Sequence, residues 1–358
     1  MNLDDTSSFQ QLDPLDMLSH IDGLPDQLHS AWKIGSGNAL PAWPGIRQVV
    51  ISGMGGSAIG ADLLTAYVAP FCPVPIYVHR DYGLPAWAGG PETVVIASSH
   101  SGDTEETLTS FEQAMDRGCH CLAVTTGGKL AKAAFASAIP LWTFEHEGQP
   151  RAAVGFSFGL LLAALGRMNL LPEPASVATE LEEAVAAMRK QQESIQVDVP
   201  AVKNPAKRMA GQLMDRFVAV IAADTLAPVA RRWKGQISEI AKAWAQFEFL
   251  PEADHNTLAG IQNPEEMLNR LVVLFLRAPS DHPRNRLRND LTRKSFMLQG
   301  LSTDFVDAQG DNRLAHMWTT LHFGDYTAYY LAMAYGVDPT TVEALESFKR
   351  DMEIGEQA

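Results

Sequence analysis

The stretch VVIASSHSGDTEETL, residues 94–108, joins a short β-branched run to an acidic, helix-like run through a corner rich in hydroxyl groups. The first part has the composition of a buried strand, and the last part carries the negative charge that favours the first turn of a helix. A connection of very few residues would be enough to turn the chain between them. The corner instead contains Ser98, Ser99, Ser101, Gly102 and Thr104. Because hydroxyl groups and bare backbone N–H groups can hold a ligand, we interpret this corner as a binding site.

Similar runs of β-branched residues, bounded by glycine and proline, recur along the chain with helical patterns between them. The first set covers residues 47–52, 74–80, 93–99, 119–126 and 139–144, and the second covers residues 216–223, 247–251, 270–278 and 303–309. A long helical region after Arg151 separates the two sets, and two further helical stretches end the chain. Alternating strands and helices predict an α/β fold with two parallel sheets, each flanked by helices.

Two other corners of the first set have the same character. They are SGMGGSAIGADLL, residues 52–64, and TTGGKLAKAA, residues 125–134. Loops that follow parallel strands lie at one edge of the sheet, so we expect the three corners to converge. Taken alone, residues 52–64 also fit a tight turn in which Ser57 caps a helix. The glycine spacing fits a dinucleotide fingerprint only loosely, which disfavours a nicotinamide-dependent oxidoreductase.

The three corners together favour a compact dianion as the ligand. Backbone N–H groups, hydroxyl groups and helix N-termini all attract negative charge, and the lysine pattern of a nucleotide-binding P-loop is missing. A monophosphate ester of a small organic molecule fits these features best. Asp103 and Glu105 are expected to face away from it, capping the following helix or lying in its first turn.

The composition excludes several classes of partner. The 358 residues carry a formal net charge of −14, which disfavours nucleic acid and acidic membranes as partners. The cysteines, Cys72, Cys119 and Cys121, lack the spacing of metal ligands and indicate reduced thiols. The N-terminus lacks the features of a signal peptide, and no run of eighteen apolar residues follows, so we expect a cytoplasmic protein.

Eight motifs in this order resemble those of the bifunctional phosphoglucose/phosphomannose isomerase family, whose members contain sugar isomerase (SIS) domains. They are GMGGSAIG (53–60), SSHSGDTEETL (98–108), TTGGKLA (125–131), QPRAAVGFSFG (149–159), KGQISEIAKAWA (234–245), LPEADHNTLAG (250–260), GDYTAYYLAMAYGVDPT (324–340) and LESFK (345–349). The resemblance implies two SIS-type subdomains and a homodimer with sites at the subunit interface. The implied division is an N-terminal segment (1–40), a first SIS-type subdomain (41–165), a helical connection (166–205), a second SIS-type subdomain (206–335) and a C-terminal helix that contributes to the site (336–358).

The resemblance also implies a role for individual residues and an aldose–ketose isomerisation without cofactor or metal. The phosphate-binding hydroxyls are Ser57, Ser99, Ser101 and Thr104, with Gly55 and Gly56 allowing the backbone to approach the substrate. The catalytic set is Arg151, Glu239 as the general base, His255 as the ring-opening residue from the neighbouring subunit, and Lys349. Moving a proton between adjacent carbons requires a base, an arginine stabilises the developing oxyanion, and a histidine with a lysine can open a cyclic sugar.

Other interpretations of these residues stay open from the sequence alone. Glu239 and Lys242 fit a solvated pair on a helix, while Arg151 and Lys349 fit ordinary surface cations. A non-catalytic sugar-phosphate sensor built on SIS domains is the alternative function, since it would need the hydroxyl loops without the catalytic set. The sequence differs from the usual pattern of the family at His100, Asp103 and Thr257. These differences leave the preference between the glucose and mannose epimers open.

Overall fold

The nine predicted strands all form, and they make two parallel sheets. The computed structural model describes residues 2–171 and 173–355. The strands are β1 Gln48–Ser52, β2 Ile76–His79, β3 Thr93–Ser98, β4 His120–Thr125, β5 Leu141–Thr143, β6 Phe217–Ala222, β7 Ala245–Phe249, β8 Leu271–Arg277 and β9 Ser302–Asp307. The sheet orders are β2-β1-β3-β4-β5 and β7-β6-β8-β9. The predicted α/β class with two parallel sheets flanked by helices is therefore confirmed.

Helices connect the strands and cover both sheets. Within the described residues they are α1 Phe9–Leu12, α2 Met17–Asp22, α3 Leu24–Gly37, α4 Gly55–Val68, α5 Glu105–Asp116, α6 Gly128–Ala136, α7 Val154–Arg167, α8 Pro174–Ile195, α9 Pro205–Leu213, α10 Ala227–Glu239, α11 Glu265–Leu268, α12 Pro283–Leu298, α13 Arg313–Tyr335 and α14 Glu343–Gly355. The structure contains no described helix long and apolar enough to cross a membrane.

The order of the strands indicates which edge of the first sheet is suited to bind a ligand. From β1 the chain first adds β2 on one side and then crosses over to add β3 and β4 on the other. Such a reversal opens a crevice beyond the carboxyl ends of the strands, where ligands bind in open parallel sheets. The predicted corners follow β1, β3 and β4, which are adjacent in the sheet. The second sheet repeats this plan, with β6, β7 and β8 in the places of β1, β2 and β3.

One hydrophobic core joins the N-terminal helices, α7 and both sheets. Leu28 of α3, Val94 of β3, Leu160 of α7 and Val220 of β6 all belong to it and are fully buried. Helices α3 and α7 approach closely, because a Cβ on Gly159 would lie 2.6 Å from Cβ of Ala31. The division into five segments stays a prediction.

Helix α13 holds α10 in place through buried polar contacts. The guanidinium of Arg232 donates to both carboxylate oxygens of Asp325, at 3.2 and 2.8 Å, with each side chain 3% exposed. The indole Nε1 of Trp233 donates to the carbonyl of Thr320 at 3.0 Å. A buried ion pair tolerates little displacement, since separating its members leaves charges without water. The end of α10, which carries Glu239, is therefore held by α13.

We predict that Gly324→Ala destabilises the fold by displacing Trp233. A Cβ on Gly324 would lie 2.2 Å from Nε1 of the fully buried Trp233 indole. Overpacking of this kind costs about 1–3 kcal/mol, which urea unfolding followed by circular dichroism would measure. The control is Gly211→Ala in α9, where a Cβ meets no atom within 4 Å. That change should be neutral or stabilising, and equal unfolding midpoints for the two variants would contradict the proposed contact.

Candidate active site

The loop between β3 and α5 holds its hydroxyl groups in fixed positions. The Ser99 hydroxyl, which is buried, accepts from the N–H of Gly102 at 3.1 Å and hydrogen bonds to the Thr104 hydroxyl at 3.0 Å. The hydroxyl of the exposed Ser101 accepts from the N–H of Asp103 at 3.2 Å. Gly102 has a φ of +72°, so glycine is favoured at this turn. The loop places three of the predicted phosphate-binding hydroxyls within six residues.

This loop is locked to the loop between β4 and α6. The N–H of Leu130 donates to the carbonyl of Gly102 at 2.8 Å, and the N–H of Thr126 donates to the carbonyl of His100 at 3.1 Å. A Cβ on Gly102 would lie 1.9 Å from the carbonyl oxygen of Gly127. The predicted convergence of these two corners is confirmed, and the backbone contact depends on glycine.

Asp103 faces away from the hydroxyl groups but caps a different helix from the one predicted. Its Oδ1 accepts from the N–H of Lys129, at 3.0 Å, in the first turn of α6. From the sequence, Asp103 is expected to cap the following helix, α5, or to lie in its first turn; that expectation is wrong for Asp103, whereas Glu105 does begin α5. The reason is the strand order, because β4 lies beside β3 and brings the start of α6 next to the loop.

The loop after β1 brings the start of α4 against the end of β3 and the Arg151 segment. Ser57 is buried in the first turn of α4, and the N-cap position is occupied by Met54, so the alternative in which Ser57 is the helix cap is wrong. A Cβ on Gly53 would lie 2.7 Å from the carbonyl oxygen of Ser98. A Cβ on Gly56 would lie 2.3 Å from the carbonyl oxygen of Pro150, whereas one on Gly55 meets no atom within 4 Å. Gly56 thus serves a contact within the chain, and the backbone of Gly55 stays open.

Arg151 and Glu239 meet although 88 residues separate them. Nη1 of Arg151 lies 3.5 Å from Oε2 of Glu239, and Nη2 donates to the carbonyls of Pro339, at 3.2 Å, and Thr340. The Arg151 side chain is 6% exposed and that of Glu239 is 35% exposed. Burial lowers the pKa of Arg151, and the Glu239 carboxylate opposes this shift. The surface-cation alternative for Arg151 is therefore wrong.

Lys242 does not pair with the Glu239 carboxylate along a helix. Helix α10 ends at Glu239, and the Lys242 ammonium instead donates to the backbone carbonyls of Glu239, at 3.0 Å, Ile240, at 3.3 Å, and Asp338. The solvated helical pair considered from the sequence is therefore wrong. The Glu239 carboxylate is partly open to solvent on one side and faces a buried guanidinium on the other. This arrangement suits a carboxylate that exchanges a proton with a ligand beside a fixed positive charge.

His255 and Lys349 are both exposed to solvent in the single chain. His255 is exposed in the short 3-10 turn Glu252–His255 after β7, and Lys349 is exposed on α14. Among the described residues no hydrogen bond or ion pair joins either of them to Arg151 or Glu239. The His255 turn is tied to α12 by the preceding residue, Asp254, whose carboxylate accepts from Arg288 at 2.8 Å and from Thr292 at 2.6 Å.

A histidine cluster beside the β3 loop was missed from the sequence. Nε2 of His100 lies 2.9 Å from Nδ1 of His146, and the rings of His146 and His20 have centroids 5.0 Å apart. Burial, together with His100 and His20, lowers the pKa of His146 to about 4, so it is neutral at pH 7. The only sequence signal was His100 in the hydroxyl loop, because the other two are 80 and 46 residues away.

Carboxylates occupy the matching corners of the second sheet. Asp224, after β6, has a φ of +48°, and its oxygens accept from the N–H of His282 at 2.8 Å and the amide of Asn285 at 3.0 Å. Asp281, after β8, accepts from the N–H of Ala278 at 2.9 Å, and burial raises its pKa to about 7. In the second sheet, the protein's own carboxylates thus accept from the N–H and amide groups that an anionic ligand would need. The matching corners of the first sheet present hydroxyl groups instead.

Comparison with known proteins places the chain in a family. Residues 202–352 match the model of the bacterial phospho-glucose isomerase C-terminal SIS domain. A bifunctional phosphoglucose/phosphomannose isomerase of Caldicellulosiruptor bescii is 37% identical over 340 residues, which are 94% of this chain and 98% of that protein. One of the same name from Aquifex aeolicus is 32% identical over 86% of this chain and 90% of that protein.

The fold agrees with a solved structure as well. A glucose-6-phosphate isomerase like protein from Thermus thermophilus superposes with a TM-score of 0.64 at 20% identity, covering 98% of this chain and 99% of that one. At that identity the likeness concerns the fold alone. The similarity to the Caldicellulosiruptor bescii relative extends over nearly the whole chain. The chain belongs to the bifunctional phosphoglucose/phosphomannose isomerase family.

Proposed function

We propose that this chain is an aldose–ketose isomerase that interconverts glucose 6-phosphate and mannose 6-phosphate with fructose 6-phosphate. The observation that carries the proposal is the contact between the buried Arg151 guanidinium and the half-open Glu239 carboxylate. Gly56 packs on Pro150 next to Arg151, and Gly53 packs on Ser98, so this pair lies in the same contact network as the hydroxyl loops. The names of the relatives support the same reaction.

The phosphate group is proposed to bind where α4, α5 and α6 begin. Ser57, Ser99, Ser101 and Thr104 supply hydroxyl groups there, and the helix N-termini supply partial positive charge. The backbone of Gly55 is open at the same edge. We propose that a dianion bound in this way is held without a metal counter-ion.

The proton transfer is proposed to use Glu239 as the base. The carboxylate takes the C2 proton of the open-chain aldose, leaving an enediolate whose negative charge develops on O1. It then returns the proton to C1, while the proton of the O2 hydroxyl passes to O1, which yields the ketose. Arg151 stabilises the developing oxyanion. Glucose 6-phosphate and mannose 6-phosphate differ only at C2, which becomes planar in the enediolate, so the same groups can serve both epimers.

Ring opening is assigned to His255 and Lys349, with His255 supplied by a second copy of the chain in a homodimer. Two features support this assignment. His255 is exposed yet held by the Asp254 contacts to α12. Lys349 lies on α14, whose Leu345, Phe348 and Met352 are 47%, 63% and 46% exposed on one face. An apolar stripe of this kind is suited to a protein contact. A cytoplasmic location is part of the same proposal.

The alternative function is a sugar-phosphate sensor without catalysis. A sensor would need the hydroxyl loops but would have no use for a carboxylate placed against a buried arginine. Burying a guanidinium costs free energy, and the chain maintains this arrangement with contacts from two separate segments, one that carries Glu239 and one that carries Pro339 and Thr340. We therefore favour the enzyme.

We predict that Gly102→Ala weakens phosphate binding by forcing the β3 loop away from the β4 loop. The new Cβ would lie 1.9 Å from the Gly127 carbonyl oxygen. Calorimetric titration with glucitol 6-phosphate, which has no carbonyl and is not turned over, should show at least a ~10-fold loss of affinity, as for losing charge-assisted hydrogen bonds. The control is Gly118→Ala, which has a similar φ of +67° but no atom within 4 Å of the new Cβ. Equal losses in both variants would mean that backbone strain, not the loop contact, is responsible.

We predict that Glu239→Gln abolishes proton transfer while binding persists. Glutamine keeps the shape and a hydrogen-bond acceptor for Arg151 but is not a base, so kcat should fall by about 10²–10⁴. The measurement is solvent deuterium incorporation into product, with glucitol 6-phosphate affinity measured in parallel. Glu193→Gln on the exposed face of α8 is the control and should behave as wild type. Wild-type exchange in Glu239→Gln would exclude this residue as the base.

We predict that two inactive variants complement each other if the site is shared between subunits. In a heterodimer of Glu239→Gln with His255→Ala, one site loses both groups and the other keeps both. Randomly paired chains should therefore recover about a quarter of wild-type activity, since half the dimers are mixed and each has one intact site. Each variant alone serves as the control, with dimer mass checked by light scattering. If the mixture is no more active than the two single variants, His255 either serves the site of its own chain or does not belong to the site.

A further inference from the structure

Two cations bind one short segment beside the Glu239 carboxylate. The Lys242 ammonium donates to the carbonyl of Asp338, and the Arg151 guanidinium donates to the next two carbonyls, those of Pro339 and Thr340. The segment 338–340 follows α13 and precedes α14. Three consecutive carbonyls of this segment are thus held by side chains from two other parts of the chain.

Lys242 is bound by carbonyls from two separate segments. Its ammonium lies 3.0 Å from the carbonyl oxygen of Glu239 and 3.3 Å from that of Ile240, and the Asp338 carbonyl is its third acceptor. An ammonium has three donors, so all of them are used. The carbonyls at the end of a helix carry partial negative charge, which a cation stabilises. Lys242 therefore ties the end of α10 to segment 338–340.

The backbone of Lys242 has a left-handed conformation, which is uncommon for lysine. Its φ is +54°, in the left-handed region where glycine is the common residue after a helix. A lysine here carries a conformational cost that glycine would avoid, and the side chain it provides reaches back over the helix end. The Asp338 carboxylate is engaged elsewhere, because its Oδ1 accepts from the N–H of Thr340 at 2.7 Å.

We propose that Lys242 is a positioning residue for the isomerisation: it fixes the end of α10 against segment 338–340, so that the Glu239 carboxylate stays at the Arg151 guanidinium. This proposal rests on the proposed function, in which Glu239 is the base. Arg151 and Lys242 then act on the same segment from two sides, and loss of either contact frees the helix end that carries the base. A displacement of about 1 Å at a reacting group can lower a rate by about 10².

The charge state of Lys242 gives the contact a dependence on pH. Burial and the nearby Arg151 charge lower the pKa of Lys242 to about 8, and the carboxylates of Asp338 and Glu239 oppose the shift. The pKa of Lys242 in the folded chain is below the usual value for lysine, so folding disfavours the charged form of this side chain. Below pH 8 the charged lysine therefore lowers the stability of the fold, and this loss of stability disappears as the pH rises from about 8 to 10.5. Deprotonation above pH 8 should therefore weaken the contact, and activity, without lowering stability through this group.

The test compares Lys242→Met with Lys242→Arg. Lys242→Met should lower kcat at pH 7 by about 10-fold or more while changing glucitol 6-phosphate affinity by less than about 3-fold, because the base and not the phosphate site is displaced. Arginine stays charged at every accessible pH, so Lys242→Arg should retain more kcat than Lys242→Met and lose the fall in kcat near pH 8. Lys190→Met, an exposed lysine on α8, is the control. Unchanged kcat in Lys242→Met, or an unchanged alkaline fall in Lys242→Arg, would overturn the proposal.

A double variant separates this proposal from the proposed function. If Lys242 acts through Glu239, adding Lys242→Met to Glu239→Gln should lower the residual rate by less than about 2-fold. An equal fall in both backgrounds would show that Lys242 acts independently and would overturn the positioning role. If Glu239→Gln is itself fully active, the assignment of the base fails, whereas a slow Glu239→Gln with a normal Lys242→Met refutes the positioning role alone.

Discussion

The buried guanidinium of Arg151 is the interaction on which the candidate site depends. Removing a charge of this kind from water costs several kcal/mol unless other groups replace the lost hydration. Here the replacements come from the Glu239 carboxylate and the carbonyls of Pro339 and Thr340, far apart in the chain. Each of these segments is therefore constrained by the others. The same contacts hold a positive charge 3.5 Å from the Glu239 carboxylate.

The two sheets share one plan but differ in what their corners offer an anion. The loops after β3 and β4 present hydroxyl groups and are interlocked through backbone contacts at Gly102 and Gly128. In the second sheet, Asp224 accepts from the N–H and amide groups at the start of α12. The hydroxyl groups proposed to bind phosphate thus lie at the first sheet, and the second sheet contributes the helix end that carries Glu239.

Much of the fold was predictable because its signals are local. The β-branched run of β3 and the acidic start of α5 lie within fifteen residues, and glycine-rich corners with hydroxyl groups also follow β1 and β4. Asp103 was assigned to the wrong helix for the opposite reason. Its partner is the N–H of Lys129, and only the order of strands in the sheet brings that group near. The cluster of His20, His100 and His146 was missed on the same ground.

The sequence by itself determined the α/β class, the nine strands, the hydroxyl corners and the motifs that indicate the family, because each depends on residues that are neighbours in the chain. Only the tertiary structure decided that Glu239 meets Arg151 instead of Lys242, and that Lys242 binds the carbonyl of Asp338. These contacts join segments more than eighty residues apart. The packing of α10 and α13 determines which groups meet in these contacts. The free energy of burying a charge depends on that packing as well, because the packing excludes water from the charge.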